Sequence, residues 1–397
     1  MSLYDDDPEA FPWHLGIFDA HSHPTDTMAT LAAALPSMQA AALVIMATRS
    51  QDQHLVAQAV DLHARARCRL VPSFGWHPWF SHRLYDDEVP SPTFQLSELE
   101  HHVEALHQAK KQHYRAVLVP APEDDDLIRC LPTPTPLSSY IAEASDLLRR
   151  HPHALVGEAG LDKSFRIPRP WDAPSESSRD NSLTPGGREG RLLSPYRVRM
   201  PHQQVILARQ LRLAATEDRS VSLHGVQAHG LLYQTVSALW KGHERHVPSR
   251  RERRRDLVEA TASDTEDEIK SRPPPVKAFP PRICLHSFSG SVELLAQWMH
   301  PSVPADVFVS LSAAVNLGSD DDARAKLDPV IRAVPDDRIL VESDLHEAGP
   351  SMDDALERMY RVICAVKGWS LDHGVRRIGL NFRHFVFGSS SGGEGII

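Results

Sequence analysis

The sequence predicts a (β/α)8 barrel of the TIM type, an α/β fold, on three observations. Eight short runs rich in β-branched and apolar residues read as buried parallel strands. Segments with helical spacing lie between most of them, as βαβ units require. Histidines and acids gather at the ends of the runs, where the strand C-termini of a barrel converge on one mouth. A doubly wound open sheet is the alternative that the same alternation allows.

The strand runs in order are LGIFDA (15–20), ALVIMAT (42–48), RLVPSFG (69–75), ALVGEAG (154–160), SVSLH (220–224), RICLH (282–286), VFVSLS (307–312) and RILVES (338–343). The clearest helical segments are DTMATLAAALPSMQA, DQHLVAQAVDLHARA, HQQVILARQLRLAATE, GSVELLAQWM and MDDALERMYRVICAV. RAVLVP (115–120) is a ninth strand candidate, placed in an insertion ahead of the fourth strand. The barrel is expected to span residues 1–388 and to carry three long inserted loops. Residues 81–136 mix prolines with the acidic run from Glu123 to Asp126. Residues 166–200 are dense in Pro, Ser, Gly and Arg, and residues 242–280 pass from basic through acidic to proline-rich. The last two have the composition of disordered loops, and 389–397 is expected to be a flexible tail.

Composition sets limits on function. The chain has 397 residues, 41% hydrophobic and 24% charged, enough for a large core. Its formal net charge of -9 argues against a passive DNA coat, so a polyanionic substrate would need a local basic patch or metal ions. Cys68, Cys130, Cys284 and Cys364 form no C-x-x-C pair, which argues against a disulfide framework or a thiolate zinc site. The N-terminus lacks a basic region followed by an apolar one, and no stretch approaches a membrane span. A cytoplasmic or nuclear location is expected. The basic run from Arg250 to Arg255 suggests nuclear import or DNA contact, but the acidic run after it favours a solvated linker.

Strand ends carry the chemistry. In FDAHSHPTD (18–26), His21 and His23 lie two apart and share a face if the strand continues, so both imidazoles can meet one ion. The third strand leads to GWHP with His77, the fourth ends in GEAGLD with Glu158 and Asp162, and the fifth ends in His224. The sixth ends in His286 and the eighth in ESD with Glu342 and Asp344. Singly, each has a bland reading as a hydrogen-bonded surface residue. Together they offer N and O donors without sulfur, which suits a hydrolytic Zn, Mn or Mg centre.

The series FDAHSH, GWHP, GEAGLD, Q-x6-Q-L, SLH, LHSFSG and ESD resembles the TatD family of metal-dependent deoxyribonucleases, in the amidohydrolase superfamily. The likeness runs from the first strand to NFRHFVF (381–387) and skips the three insertions. It implies a TIM-like barrel, DNA as substrate and two divalent ions. The implied metal ligands are His21, His23, Glu158, His224, His286 and Asp344, with Glu158 bridging. Gln203 and Gln210 also match family positions. Where the family carries an arginine two residues after the strand-five histidine, this chain has Val226, which offers no donor to a phosphate. Gln227 or His229 is the expected substitute, and His77 a further substrate contact. The Pro/Ser-rich insert and HGVQ segment resemble a fungal branch linked by name to an anaphase-promoting-complex subunit.

The implied ligand set suggests a mechanism. One ion sits on His21, His23, Glu158 and Asp344, the other on Glu158, His224 and His286. A water bridging them is acidified, and Asp344 serves as the base. Asp19 or Glu342 orients ligand imidazoles, and Asp162 either orients neighbours or touches the chemistry. Two other classes compete. One is an amidohydrolase-type enzyme for a small amide, ester or phosphoester, since fold and metal do not fix substrate. The other is a catalytically weak interaction protein on a hydrolase scaffold, favoured by Val226 and the insertions but opposed by the cost of burying these groups without a metal.

Overall fold

In a computed structural model of the chain, residues 10–96, 103–171, 179–187, 189–249, 252, 277–318 and 321–388 are described. Eight strands build the barrel: β1 (Phe18–Ser22), β2 (Ala42–Met46), β3 (Arg69–Ser73), β4 (Val156–Asp162), β5 (Val221–Val226), β6 (Arg282–Leu285), β7 (Asp306–Ser312) and β8 (Ile339–Glu342). β1 to β3 pair in order, and β4 to β8 pair in order, all in parallel. The two sheets join at both edges. Leu155 N donates to Pro72 O at 3.0 Å and Phe74 N to Leu155 O at 2.9 Å, linking β3 to β4. At the other edge Asp344 N donates to His21 O at 3.0 Å and His23 N to Leu345 O at 2.8 Å. The open-sheet alternative is thereby excluded.

Alternation sorts the core into two layers. Ala42, Val44 and Met46 of β2 face the barrel interior with Phe18, Phe308 and Leu340, whereas Leu43 and Ile45 face the surrounding helices. Because both faces are covered, the strands read as continuous apolar runs. The helix Leu371–Phe387 plugs the N-terminal end of the barrel. Its Phe382 stacks on Phe18 with ring centroids 4.7 Å apart, and Arg282 Nε donates to Phe385 O at 2.9 Å. Leaving that end plugged confines chemistry to the opposite mouth.

The five expected helices form, as Met28–Ala34, Ser50–Leu62, Met200–Thr216, Val292–Trp298 and Pro350–Lys367. The ninth strand candidate is a correction. Residues 115–117 end the helix Val103–Val117, whose His107, Lys110, His113, Tyr114 and Val117 bury one face at helical spacing. Only Leu118–Val119 is extended, and it pairs antiparallel with Arg197–Val198 outside the barrel. Within 81–136 the acidic run caps a second helix, Asp125–Cys130: the Asp124 side chain accepts from Leu127 N at 3.0 Å. The described part of 166–200 crosses the C-terminal mouth, where Thr184 N donates to Asp26 O at 2.7 Å. The basic run 250–255 (Glu252 apart), the acidic and proline-rich stretch to 276 and the tail 389–397 lie outside the described residues. Among the described residues no helix is long and apolar enough to cross a membrane.

Candidate metal centre

His21 sits in β1 and His23 just beyond its end, and their Nε2 atoms lie 3.1 Å apart. Glu158 rises from the middle of β4, buried between two groups of donors. Its Oε2 is 3.4 Å from His21 Nε2 and 3.3 Å from His23 Nε2. Its Oε1 is 2.7 Å from His224 Nδ1, 2.9 Å from His286 Nε2 and 3.1 Å from His77 Nε2. Asp344 Oδ1 joins the first group, 3.6 Å from His23 Nε2 and 3.9 Å from His21 Nε2. Metal bonds of about 2.0–2.2 Å set neighbouring N and O ligands about 3.0–3.5 Å apart. Most of these separations fall close to that spacing, so the donor set fits divalent cations.

Ring orientation separates the histidines. His224 Nε2 faces Asp162 Oδ2 at 3.2 Å, which fixes a proton there and leaves Nδ1, beside Glu158, as the nitrogen that a metal would take. His286 Nδ1 faces Glu342 Oε1 at 3.4 Å, leaving Nε2 for the centre. His21 Nδ1 meets Ser222 Oγ at 2.8 Å. His77 is the exception. Its Nδ1 accepts from Trp79 N at 3.1 Å, so the proton sits on Nε2 and points at Glu158 Oε1. Burial lowers the His77 pKa to about 4, so the ring is neutral and presents a donor to the centre rather than a lone pair.

The surrounding groups set the charge states. Burial raises the Asp344 carboxyl, but the hydrogen bond with His23 and the charges of His286 and His21 outweigh it and keep the group ionised. Burial opposes charge on His286 and His23 too, yet Glu158 and Glu342 hold His286, and Asp344 and Glu158 hold His23, well above the ordinary histidine value. Asp344 also has φ +56°, an uncommon backbone for a residue other than glycine, held at the mouth by its bond to His21. A Cβ on Gly160 would collide with the His224 carbonyl, so glycine there lets β4 and β5 close up.

The helix Met200–Thr216 props this arrangement from behind. Gln203 accepts from Asp162 N at 2.8 Å and donates to Asp162 O at 2.9 Å, and Gln210 brackets the backbone of Trp76 in the same manner. Glu342 accepts from Ser287 N and Oγ, each at 2.6 Å, as well as facing His286. Asp19 differs from expectation. It contacts no ligand imidazole; it accepts from the backbone of His21 and from Ser343 N and Oγ, tying β1 to β8. The Asp19 carboxylate, three residues short of the strand end at Ser22, is aimed at the neighbouring strand, not at the mouth.

A cleft of about 490 Å³ opens over the centre, lined by His23, His77, Glu158, His224, His286 and Asp344 among others. Gln227 and His229, the expected substitutes at the Val226 position, do not line it. Gln227 takes a left-handed φ of +52° and is exposed, and that turn carries the chain outward into the helix His229–Trp240. His229 instead packs on Phe288, its Nε2 3.4 Å from Ser289 Oγ. The cleft also gains residues that sequence reasoning missed, among them Asp26, Thr48, Arg49, Glu189 and His346. Ser222 was missed too, although its place two residues before His224 on the same face was a usable signal.

A closed parallel barrel with imidazoles and carboxylates gathered about a shared acid at its C-terminal mouth is the build of a barrel hydrolase. The chain belongs to the TatD family: residues 18–386 match the family described as TatD related DNase. It is therefore a TatD-type, DNase-like hydrolase, from a family that is generally metal-dependent. It is 36% identical to Cut9-interacting protein scn1 of Schizosaccharomyces pombe, over 93% of this chain and 98% of that protein. It is 26% identical to the uncharacterized deoxyribonuclease YMR262W of Saccharomyces cerevisiae, over 93% of this chain and 99% of that protein. Its fold resembles that of an uncharacterized amidohydrolase from Saccharomyces cerevisiae, with a TM-score of 0.50 and 12% identity over 93% of this chain and 99% of that one.

Proposed function

We propose that the protein hydrolyses phosphodiester bonds of DNA, at an end or in single strands, with two divalent ions. The observation that carries this reading is Glu158, whose two oxygens face separate groups of donor atoms. Zn, Mg or Mn would be held by His21, His23, Glu158 and Asp344 on one side and by Glu158, His224 and His286 on the other, supplying an acidified water and offsetting charge on the phosphate. Asp344 takes the proton of the attacking water. It is the more accessible of the two acids, with its side chain 18% exposed against 4% for Glu158, and it stays ionised. His77 donates through Nε2 and so steadies either Glu158 or a phosphate oxygen beside it.

Elemental analysis of the purified protein, paired with assays on single-stranded DNA, a dinucleotide and a simple phosphodiester in Mg or Mn, tests the reading. Bound metal and DNA cleavage are expected, with His286→Ala and Asp344→Ala both inactive. Absence of metal, or activity that survives both changes, overturns it. The relative named Cut9-interacting protein supports a companion reading, in which the chain also binds a Cut9-like subunit of the anaphase-promoting complex.

A further inference from the structure

The donor cluster explains how a phosphodiester is hydrolysed but not how a polyanion is held in a cleft that also contains Asp26, Glu189 and Asp344. Among the described residues that line it, Arg49 is the only lysine or arginine. Arg49 follows Thr48, whose carbonyl accepts from His77 N at 2.8 Å, so the guanidinium is rooted one residue from the centre. Its Nη1 is committed, to Asp52 Oδ2 at 2.9 Å and Thr48 Oγ1 at 3.1 Å. The opposite edge is not. Among the described residues Nε is buried without a partner, and Nη2 reaches only the Pro185 carbonyl, at 3.4 Å.

Arg83 repeats the pattern. Its Nε is also buried without a partner among the described residues, and its Nη2 reaches only the next carbonyl, Gly186 O, at 3.3 Å. Both guanidiniums lie over the Phe80 ring, 5.4 and 4.7 Å from its centroid. Two like charges on one ring, each with a buried Nε that no described residue meets, lack an anion that accepts from both. The Nε–Nη2 edge of arginine matches two oxygens of a phosphate, and backbone carbonyls at long range are its weak substitutes.

We infer that Arg49 and Arg83 form a phosphate-binding subsite beside the metal centre, covered in the free protein by the Pro185–Gly186 strap. On the DNA-hydrolase reading, the ligand is a phosphate of the bound strand, and the pair supplies the cation that Val226 does not. Binding replaces the two carbonyls with phosphate oxygens and moves the strap aside.

Inorganic phosphate binding to the full-length, metal-free protein tests the subsite without the ions, by calorimetry on wild type, Arg83→Met and Arg49→Lys. The lysine variant leaves Asp52 a cationic partner, and Arg83→Met removes a side chain that holds no carboxylate bond, so folding is checked on both by circular dichroism. Phosphate should bind the wild type and bind each folded variant about tenfold or more weakly. KM for single-stranded DNA should rise in parallel in Arg83→Met, with kcat little changed. Equal phosphate affinity in wild type and variants, or no phosphate binding by wild type, overturns the subsite. DNA cleavage with variant-insensitive phosphate binding rejects the subsite and keeps the nuclease. Arginine-dependent phosphate binding without DNA cleavage does the reverse.

Discussion

Asp162 Oδ2 receives His224 Nε2 at 3.2 Å across the β4–β5 pair, and this contact aims His224 Nδ1 at Glu158. The same carboxylate oxygen accepts from Trp79 Nε1 at 2.6 Å, so one acid of β4 fixes both a ligand ring and the aromatic wall of the cleft.

Asp162→Asn should therefore weaken metal binding about 10–100-fold while the barrel still folds. An amide nitrogen at Oδ2 would face two N–H donors, and His224 would lose the partner that sets its tautomer. Burial raises the Asp162 carboxyl, but the hydrogen bond and charge of His224, then Trp79 and Phe165 N, pull it well below the ordinary range. Its contribution to stability is thus present above about pH 4 and is lost as pH falls through the depressed value. Acid titration of the folded signal should show a shallower low-pH limb in the variant; an unchanged limb and unchanged metal affinity would dismiss the orienting role.

His77→Ala should separate a donor from a ligand. Because His77 Nδ1 already accepts from Trp79 N, the metal-to-protein ratio should match wild type while kcat falls about a hundredfold. A metal content that drops with activity would make His77 a ligand after all.

Chelation should reverse the pH trend of stability. His23, His224 and His286 have raised pKa values in the metal-free centre, so their protonated forms add stability below about pH 6.5 that is lost as pH rises through the raised values. Metal needs the same nitrogens deprotonated, so its binding should release protons and strengthen with pH. Thermal midpoints from pH 6 to 9, with and without EDTA, should diverge as pH rises; parallel curves would mean the centre holds no metal.

Phe382→Ala should destabilise the fold by about 3–5 kcal/mol, because the ring is fully buried against Phe18 at the plugged end. Cleavage measured well below the new melting point should keep its wild-type KM, since the plug lies at the far end from the centre. A changed KM would show that the two ends are coupled.

Much of the barrel was legible from the chain alone. Runs such as ALVIM (42–46) are apolar at every position because both strand faces are covered, and that covering is a local demand visible in a single strand. His21, Glu158, His224, His286 and Glu342 were legible for the same reason: a polar residue set in or closing an apolar strand run toward its C-terminal side is turned to the mouth more often than not. RAVLVP misled because three of its residues finish a helix, and a short apolar run cannot separate the two states by itself.

The sequence by itself determined the architecture and the kinds of donor atoms that reach one end of it. Only the tertiary structure decided which nitrogen of each ring faces inward, that His77 brings a proton and not a lone pair, that Gln227 and His229 turn away, and that Arg49 and Arg83 meet over Phe80. Strand periodicity is a property of neighbours in the chain, whereas a tautomer or an unmet guanidinium edge is set by which hydrogen-bond partner the folded backbone brings within reach, as near as Trp79 for His77 or as far as Asp162 for His224.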